Sequence, residues 1–598
     1  MRRLYVPFLI VFLAASAAPS IAGLGPENVL VVANQADQTS VTIAREYVRL
    51  RRVPESNLVM LDNVPSSHTI SLADFRMRIL GPVLAAIKTR RLDRQIACVA
   101  YSSGFPYAVD VRAAMAGKSF PRYITQPASL TGLTYLHTLL DAAEPIYLAM
   151  DANWYHRGIR RQARPAAYSA SDMELKAELD GIVARLQPSV HAANRPPEVR
   201  RDLQRALELA RQLSARRASD PALLYDLACL YALNDMPDDA TRTLSLAVQA
   251  GWTNRAHTER DPDLASLRDR ADFRRLIERM SAATYSIEPA RPFRVGARWA
   301  ADGTPTTHPS GRRYMLACML AYVGEKANSE EEALACLRRS AMADYRRPRG
   351  TIYFMASSDQ ARTGPRQWAF EPAKAALARL GVRAEVISGV LPSDRNDVAG
   401  AVVGAATIDW ASSRSRIVPG AFCDHLTSLA GVMSGGGQTL LSEWLRHGAA
   451  GSSGTVTEPY NIAAKFPSAF LHVFYASGCS LAEAFYQSVA GPYQQLLVGD
   501  PLCAPWARPI SVRVAGIKPG ATLSRPVQLR PSASGAQPIH RFELYVDGVL
   551  TQVALPGKPL RLSPAVLRAG RHEARIVAVA GALEWRGKVV LPFRTVGP

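Results

Sequence analysis

One short stretch of the chain carries several side chains that hydrolases use. It contains Asp424, His425, Thr427 and Ser428. A serine hydroxyl becomes a nucleophile when a neighbouring imidazole removes its proton, so His425 and Ser428 are a candidate base and nucleophile. In a strand, His425 and Thr427 would share one face, whereas Asp424 and Ser428 would share the other. A hydrogen-bonded histidine in the core or at a sheet edge is therefore the competing interpretation of His425.

Polar residues also follow several predicted strands. They stand at the expected carboxyl ends of those strands, and they are Asn34, Asp37, Ser102, Ser103 and Glu458. Ligands of open α/β sheets bind at that edge. The sequence therefore predicts a polar cleft, with His425, Ser428 and Glu458 as the candidate catalytic residues of a hydrolase. A pairing of Cys423 with His447 across the fold is a further alternative.

The short motifs of other enzyme classes are missing. The chain has no HExxH, no GxSxG, no Walker loop and no dinucleotide fingerprint. The glycine-rich stretches 435–437 and 448–454 lack the lysine of a phosphate loop and are predicted to be turns. The eleven histidines are scattered without ligand spacing, so we predict no metal and no cofactor.

The seven cysteines lie far apart, most of them in apolar runs, and form no CxxC. We expect buried thiols that pack as small apolar groups, with at most one or two disulfides. The formal charge of +20 comes mostly from arginines spread along the chain. Without a clustered basic face or a groove-reading element, nucleic-acid binding is not predicted. A solvated basic surface and an envelope polyanion as partner both remain open.

The first residues have the pattern of an export signal. Arg2 and Arg3 precede the apolar run Val6 to Ala15, and small residues end at Ala22. The run is too short for a membrane-spanning helix, which needs about 20 apolar residues. We expect cleavage after Ala22, no membrane span in the mature chain, and a periplasmic or extracellular location.

Two stretches alternate apolar runs with helical patterns. Continuous runs such as Val29 to Ala33 and Ile96 to Tyr101 suit strands that are buried on both faces of a parallel sheet. The same order returns from Thr351 to Val498, with a strand predicted over Leu426 to Met433. We place the two α/β blocks at 23–187 and 288–507.

The segment between the blocks, 188–287, is helical by its periodicity. Ala228, Ala240 and Ala247 are spaced twelve and seven residues apart, with Tyr231 shortly after the first. This pattern resembles a tetratricopeptide repeat, in which small residues let two helices pack closely. Trp252 stands where that repeat usually has proline. One repeat with flanking helices is too small to stand alone, so we expect it to pack on the core.

The last segment, 508–598, alternates apolar and polar residues with period two. Asp547 and Gly548 have the composition of a hairpin turn. Several short strands in such a segment predict an immunoglobulin-like β-sandwich.

The second block carries a more specific resemblance. It rests on the stretch Pro419 to Pro459, on Ala464 to Pro467, on Leu481 to Phe485 and on Gly499 to Pro501. With the early "GLGPENVLVVAN", these residues resemble an uncharacterised family of exported bacterial proteins. The order of elements distantly resembles gingipain-type cysteine peptidases, which implies a caspase-like fold of two α/β halves. In that group a catalytic His follows one strand and a catalytic Cys the next, whereas this chain has Ala405 and Ala406, and then Thr427 and Ser428.

We therefore predict a two-part caspase-like parallel-sheet core with an inserted all-α repeat module and a C-terminal β-sandwich. The predicted function is binding of a protein or an envelope polymer through the helical insert and the β-sandwich, on a catalytically degenerate core. The alternative is a secreted, peptidase-like hydrolase that uses a Ser/Cys–His site in the second block. The sequence leaves open which of the two applies.

Overall fold

The computed structural model describes residues 23–159, 168–186, 189–192, 194–218, 220–252, 254–282, 287–300 and 303–596. The predicted signal peptide, residues 1–22, lies outside the described residues. Within the described ranges, no helix combines the length and the apolarity needed to cross a membrane.

The elements follow one another in four groups. Before the insert come β1 (Val29–Asn34), α1 (Gln38–Arg51), β2 (Leu58–Leu61), β3 (Thr69–Ser71), α2 (Leu72–Asp74), a π-helical stretch (Phe75–Leu80), α3 (Gly81–Thr89), β4 (Cys98–Tyr101), β5 (Ala108–Asp110), α4 (Arg112–Met115), β6 (Ala128–Ser129) and α5 (Leu130–Tyr135). The insert contains α6 (Ala170–Leu186), α7 (Pro197–Arg216), α8 (Pro221–Leu233), α9 (Pro237–Ala250), α10 (Arg255–Arg260) and α11 (Ala271–Ala282).

After the insert come β7 (Arg298–Trp299), β8 (Pro305–Thr306), β9 (Leu316–Met319), α12 (Glu330–Ala343), β10 (Thr351–Ala356), α13 (Gln360–Gln367), α14 (Phe370–Arg379), β11 (Arg383–Ser388), β12 (Val398–Gly404), β13 (Ile417–Leu426), α15 (Ser442–Arg446), β14 (Gly451–Thr455), α16 (Phe470–Ala476), α17 (Leu481–Ser488) and β15 (Gln495–Gly499). The chain ends with β16 (Ile510–Ala515), β17 (Thr522–Leu523), β18 (Val527–Gly535), β19 (Ile539–Val546), β20 (Val549–Ala554), β21 (Leu560–Leu562), β22 (Gly570–Ala580) and β23 (Trp585–Thr595).

A ten-stranded sheet joins the parts of the chain before and after the insert. Its strand order is β11-β10-β12-β13-β14-β15-β9-β4-β1-β2. The two parts meet where β4 pairs with β9 in parallel, with Cys98 opposite Leu316 and Tyr101 opposite Met319. The β14–β15 pair is antiparallel. The protein is thus a mixed α/β protein with a large, mainly parallel sheet, which confirms the fold class at that level.

Helices cover both faces of the sheet in the second part. Along β10, Ile352 and Phe354 pack into the cluster that contains Phe370 of α14 and Phe470 of α16. The alternate residue Tyr353 packs on the other face, in the cluster with Trp444 of α15. Because side chains alternate along a strand, burial of both sets explains the unbroken apolar run.

A buried carboxylate ties the two parts together. Asp500, which follows β15, accepts hydrogen bonds from Tyr47 Oη at 2.9 Å and from Arg51 Nε at 2.8 Å. Arg51 also pairs with Asp344, at the end of α12. Three segments that are distant in the chain therefore share one buried ionic cluster.

The insert leaves and rejoins the core at adjacent points. Ile159 and Ile287 form an antiparallel bridge, and the amide of Glu288 donates to Gly158 O at 2.8 Å. Helix α6 packs with α7 in one apolar cluster. The helical packing unit therefore begins before the predicted boundary at residue 188.

The insert contacts the core, as we expect of a helical segment with one clear repeat. Lys176 Nζ of α6 lies 5.4 Å from the centre of the Tyr123 ring. In the insert, α8 and α9 pack closely through Ala228, Ala240 and Ala247, which are all fully buried. The small side chains at these positions allow that close packing.

The last strands form two sheets around a shared core. Their orders are β16-β18-β21 and β17-β23-β22-β19-β20. At the predicted hairpin turn, Asp547 and Gly548 both have positive φ, and a Cβ on Gly548 would collide with Ser56 Oγ. Buried charge fixes these strands on the core, because Glu27 accepts from Lys588 at 3.0 Å and from Arg575 at 3.3 Å.

Candidate functional site

His425 is a structural histidine in this fold. It lies on the face of β13 that α15 covers, and it is almost completely buried. Its Nδ1 accepts from Trp444 Nε1 at 3.0 Å, and its Nε2 lies 2.9 Å from Thr439 O. Burial lowers the pKa of His425 to about 4, so the ring is neutral at pH 7. Both ring nitrogens are engaged, and neither is available to Ser428.

Ser428 lies in a loop that begins where β13 ends at Leu426. The predicted strand over Leu426 to Met433 is wrong, because the chain leaves the sheet at Leu426 and continues as a loop to which the side chain of Gln438 is bonded. Gln438 Oε1 accepts from Thr427 Oγ1 and from the amide of Leu429, both at 2.8 Å. Ser428 O accepts from Thr455 Oγ1 at 3.0 Å. The structure does not bring the Ser428 hydroxyl and the His425 imidazole together.

Glu458 is exposed in the loop after β14. Its Oε1 accepts from the amide of Tyr460 at 2.7 Å, and no hydrogen bond among the described residues links it to His425 or Ser428. Its charge acts instead on Lys465, a fully buried residue that donates to Tyr123 O. Burial lowers the pKa of Lys465 to about 7, and the nearby Glu458 opposes that shift.

The two positions where the resemblance would put a dyad hold other groups. After β12 come Ala405 and Ala406, and Ala406 O accepts from the amide of Thr439 at 3.2 Å. After β13 comes Thr427, whose hydroxyl oxygen accepts a hydrogen bond from Arg362 Nε at 3.4 Å. These loops are therefore tied to one another by hydrogen bonds and carry no imidazole–thiol pair.

None of the cysteines is poised as a nucleophile. All seven are free and buried. Burial raises the pKa of the Cys423 thiol well above its usual range, so it is protonated at neutral pH. His447, the alternative partner, is bound to Glu443 Oε1 at 2.9 Å. The structure does not pair it with Cys423.

A buried ion pair that the sequence did not reveal lies beside these loops. Arg366 of α13 donates from Nη1 to both oxygens of Asp424 at 2.8 Å, and from Nη2 to Val403 O at 2.6 Å. Both side chains are almost fully buried. The helical position of Arg366 gave no signal in the sequence, because its partner lies on a strand far along the chain.

The carboxyl-end loops of the first part meet those of the second. Tyr107 Oη lies 2.8 Å from Ser434 Oγ, and Thr457 Oγ1 donates to Gln126 O at 2.9 Å. Polar side chains do lie at the predicted edge, but they form hydrogen bonds to the backbone of the loops. Asn34 Nδ2 donates to Gly104 O at 2.9 Å, and Ser103 Oγ accepts from the amide of Val323 at 3.0 Å.

Asp37 and Ser102 have similar structural roles at this edge. Asp37 caps α1 by accepting from the amide of Ser40, and Ser102 Oγ donates to Ser40 O at 2.7 Å. The edge is therefore a tightly bonded surface of loops. A group of side chains that could hold a metal ion lies elsewhere, in the helical insert.

Comparison with known proteins gives no assignment. No family model matches the chain, and no curated protein matches it. Fibronectin(III)-like modules of Clostridium thermocellum CbhA align with 14% of this chain and 98% of theirs, at 18% identity and a TM-score of 0.13. An endo-beta-1,4-mannanase from Thermotoga petrophila aligns with 48% of this chain and 57% of its own, at 10% identity and a TM-score of 0.13. An engineered protein aligns with 71% and 80%, at 12% identity and a TM-score of 0.12. Scores this low support no argument about fold or function.

Proposed function

We propose that this protein is an exported envelope protein that binds another protein or an envelope polymer, on a caspase-like scaffold without peptidase chemistry. The observation that carries the proposal is the occupation of both dyad positions by groups with structural roles. Ala405 and Ala406 follow β12, and the hydroxyl of Thr427 after β13 is committed to Gln438. These two positions hold neither an imidazole nor a thiol, so the base-assisted attack of a cysteine peptidase lacks both of its groups there.

The strand order supports the caspase-like part of the proposal. In the order β11-β10-β12-β13-β14, the second strand in sequence lies outside the first, and the later strands follow on the other side. The order β2-β1-β4-β9 repeats this arrangement in the part of the sheet that precedes and directly follows the insert. Two halves of this kind are what the resemblance to gingipain-type peptidases implies.

The helical insert offers a surface for a partner. A groove of about 870 Å³ runs between α9 and α11, and Leu246 on its wall is 47% exposed. Charged residues of both signs surround that leucine: Asp238, Arg242, Asp272, Arg275 and Glu278. Helical-repeat modules hold other proteins on such extended surfaces. We assign protein binding to this groove, and we assign binding of an envelope polymer to the outer surface of the β-sandwich.

Site-specific crosslinking in intact cells tests the proposal. A photoreactive amino acid at Leu246 should yield a discrete crosslinked product, whereas the same residue at Val566, which is exposed in the turn between β21 and β22, should not yield that product. Replacement of residues 160–286 with a short linker, which the pairing of Ile159 with Ile287 makes feasible, removes the whole proposed binding surface, so affinity pull-downs with this variant should no longer capture the partner. Equal products from both positions, or none from Leu246, would count against binding through the insert.

A further inference from the structure

Five side chains with metal-ligating atoms meet inside the helical insert. Cys229 Sγ on α8 and carboxylate oxygens of Asp261 and Asp263 all lie within 4.8 Å of one another. His257 Nε2 lies 3.2 Å from Asp261 Oδ2, and His191 Nε2 lies 3.0 Å from Asp263 Oδ1. Residues from three separate stretches of the chain therefore converge on one point.

The arrangement around Asp261 is unusually crowded for one carboxylate. Oδ2 accepts hydrogen bonds from Tyr225 Oη at 2.6 Å and from Cys229 Sγ at 3.8 Å, and it lies 3.2 Å from His257 Nε2. Oδ1 accepts from the amide of Asp263 at 3.0 Å. The carboxylate is thus held in one orientation by groups that surround it, as the outer shell of a metal ligand does.

We propose that Cys229, Asp261 and Asp263 bind a late first-row divalent cation of the Zn²⁺ class. A thiolate with carboxylates suits such a borderline-soft ion, and the histidines hold the two carboxylates from outside. On binding, the S–H bond of Cys229 breaks, its proton leaves to solvent, and the sulfur electron pair forms the bond to the metal. No electron is transferred, and one proton is released per ion.

The bound ion would brace the insert from within. Cys229 lies on α8, whereas Asp261 and Asp263 lie in the turn that follows α10. The insert has no disulfide among its described residues, and its apolar side chains are divided between two separate clusters. A metal that joins these segments would add stability to the insert.

Cobalt titration of the full chain tests this site. After treatment with a chelator, Co²⁺ should bind with one-to-one stoichiometry and give the absorption band of thiolate-to-cobalt charge transfer. Cys229→Ser should abolish that band. Cys336→Ser, a matched change at a buried thiol in the core, should leave it unchanged. Asp263→Asn should weaken Co²⁺ and Zn²⁺ binding at least tenfold, whereas Asp238→Asn, at an exposed carboxylate of the same insert, should not.

Each outcome bears on the proposal in one direction. Absence of the band in the wild-type protein, or its persistence in Cys229→Ser, would overturn it. Far-UV circular dichroism checks that the variants fold. If Cys229→Ser does not fold, Asp263→Asn decides the matter, because the Asp263 side chain is partly exposed and its loss is tolerable. Unchanged metal affinity in that variant would likewise overturn the proposal.

Discussion

Two buried imidazoles, His425 and His472, are neutral at pH 7. Burial lowers their pKa values to about 4 and about 3. His425 has partners for both ring nitrogens, whereas neither nitrogen of His472 has a hydrogen-bond partner in the described part of the chain. His472 packs between Phe354 and Phe422 and against Gly400, where a Cβ would stand 2.6 Å from its ring. A polar ring in that position lowers the stability of the folded state.

Replacement of that ring should change both stability and its pH dependence. In the unfolded chain the histidine titrates near 6.5, so between that pH and about 3 the unfolded state binds more protons than the folded state. Above pH 6.5 the ring is neutral in both states, and proton binding does not affect the free energy of unfolding. As the pH falls below 6.5, proton binding to the unfolded state lowers the free energy of unfolding of the wild type. His472→Leu should therefore be more stable than wild type by about 1 kcal/mol at pH 7. The difference should grow by about 2 kcal/mol at pH 5.

Urea unfolding at the two pH values measures this difference. His572, which is hydrogen-bonded to Asp547 near the surface of the C-terminal strands, offers a control position, because its pKa is raised and not lowered. His572→Gln should not reproduce the gain at pH 5. An equal gain for both variants, or none for His472→Leu, would show that burial of the imidazole does not control the pH dependence.

Among the strands and helices, α13 and β13 are joined by the ion pair of Arg366 and Asp424. Removal of one partner leaves the other buried and uncompensated, so Arg366→Met should lower the free energy of unfolding by about 3 to 5 kcal/mol. The double variant Arg366→Met/Asp424→Leu should be more stable than that single variant by at least about 2 kcal/mol. Equilibrium urea unfolding of the single and double variants gives both numbers.

A surface pair provides the comparison. Arg414 and Asp394 pair at 2.6 Å with both side chains more than half exposed. Arg414→Ala should change the free energy of unfolding far less than Arg366→Met does, because water screens the charges of an exposed pair. If this exposed pair proves as costly to break as the buried one, burial of Arg366 and Asp424 is not what makes their pairing necessary.

Several elements could be predicted from the sequence because their signal is local. The apolar runs at Val29 and Ile96, and the helical spacing of Ala228, Ala240 and Ala247, correspond to β1, β4 and the α8–α9 pair. A strand buried on both faces needs an unbroken apolar run, and close helix packing needs small residues at fixed spacing.

The first and last residues of β13 could not be predicted in the same way. The run over Leu426 to Met433 has the composition of a strand, yet it is a loop in the structure, where Gln438 Oε1 accepts from the Thr427 hydroxyl and the Leu429 amide. The true strand includes Pro419 and Gly420, which disfavour strand assignment when only composition is considered. The partners of His425, Trp444 and Thr439, lie fourteen or more residues further along the chain, so its burial was not readable either.

The stability of the core depends on contacts between the parts of the chain before and after the insert. Asp500 holds Tyr47 and Arg51 of α1, and β4 pairs with β9. Asp500→Asn should remove one of the two carboxylates that compensate Arg51, the other being Asp344, and lower the free energy of unfolding by about 1.5 to 3 kcal/mol. The unfolding transition should shift equally when it is followed from a tryptophan of the first part, Trp154, and from one of the second, Trp444.

Fluorescence of variants that retain only one of those tryptophans follows the two parts separately. Asp394→Asn, at the surface, is the control and should leave both transitions in place. Coincident shifts in Asp500→Asn are expected of one cooperative sheet. A shift confined to one probe would mean that the two parts unfold independently and that the joined sheet is not their main source of stability.

Chemical labelling of the native protein tests most directly the proposal that the core lacks peptidase chemistry. We expect intact-mass spectrometry to show no adduct after treatment with serine- and cysteine-directed active-site probes. All seven thiols should become reactive to alkylation only after unfolding, since each is buried in the native state. Stoichiometric labelling of the folded protein at one residue, whether Ser428, Cys423 or another, would contradict a catalytically degenerate core.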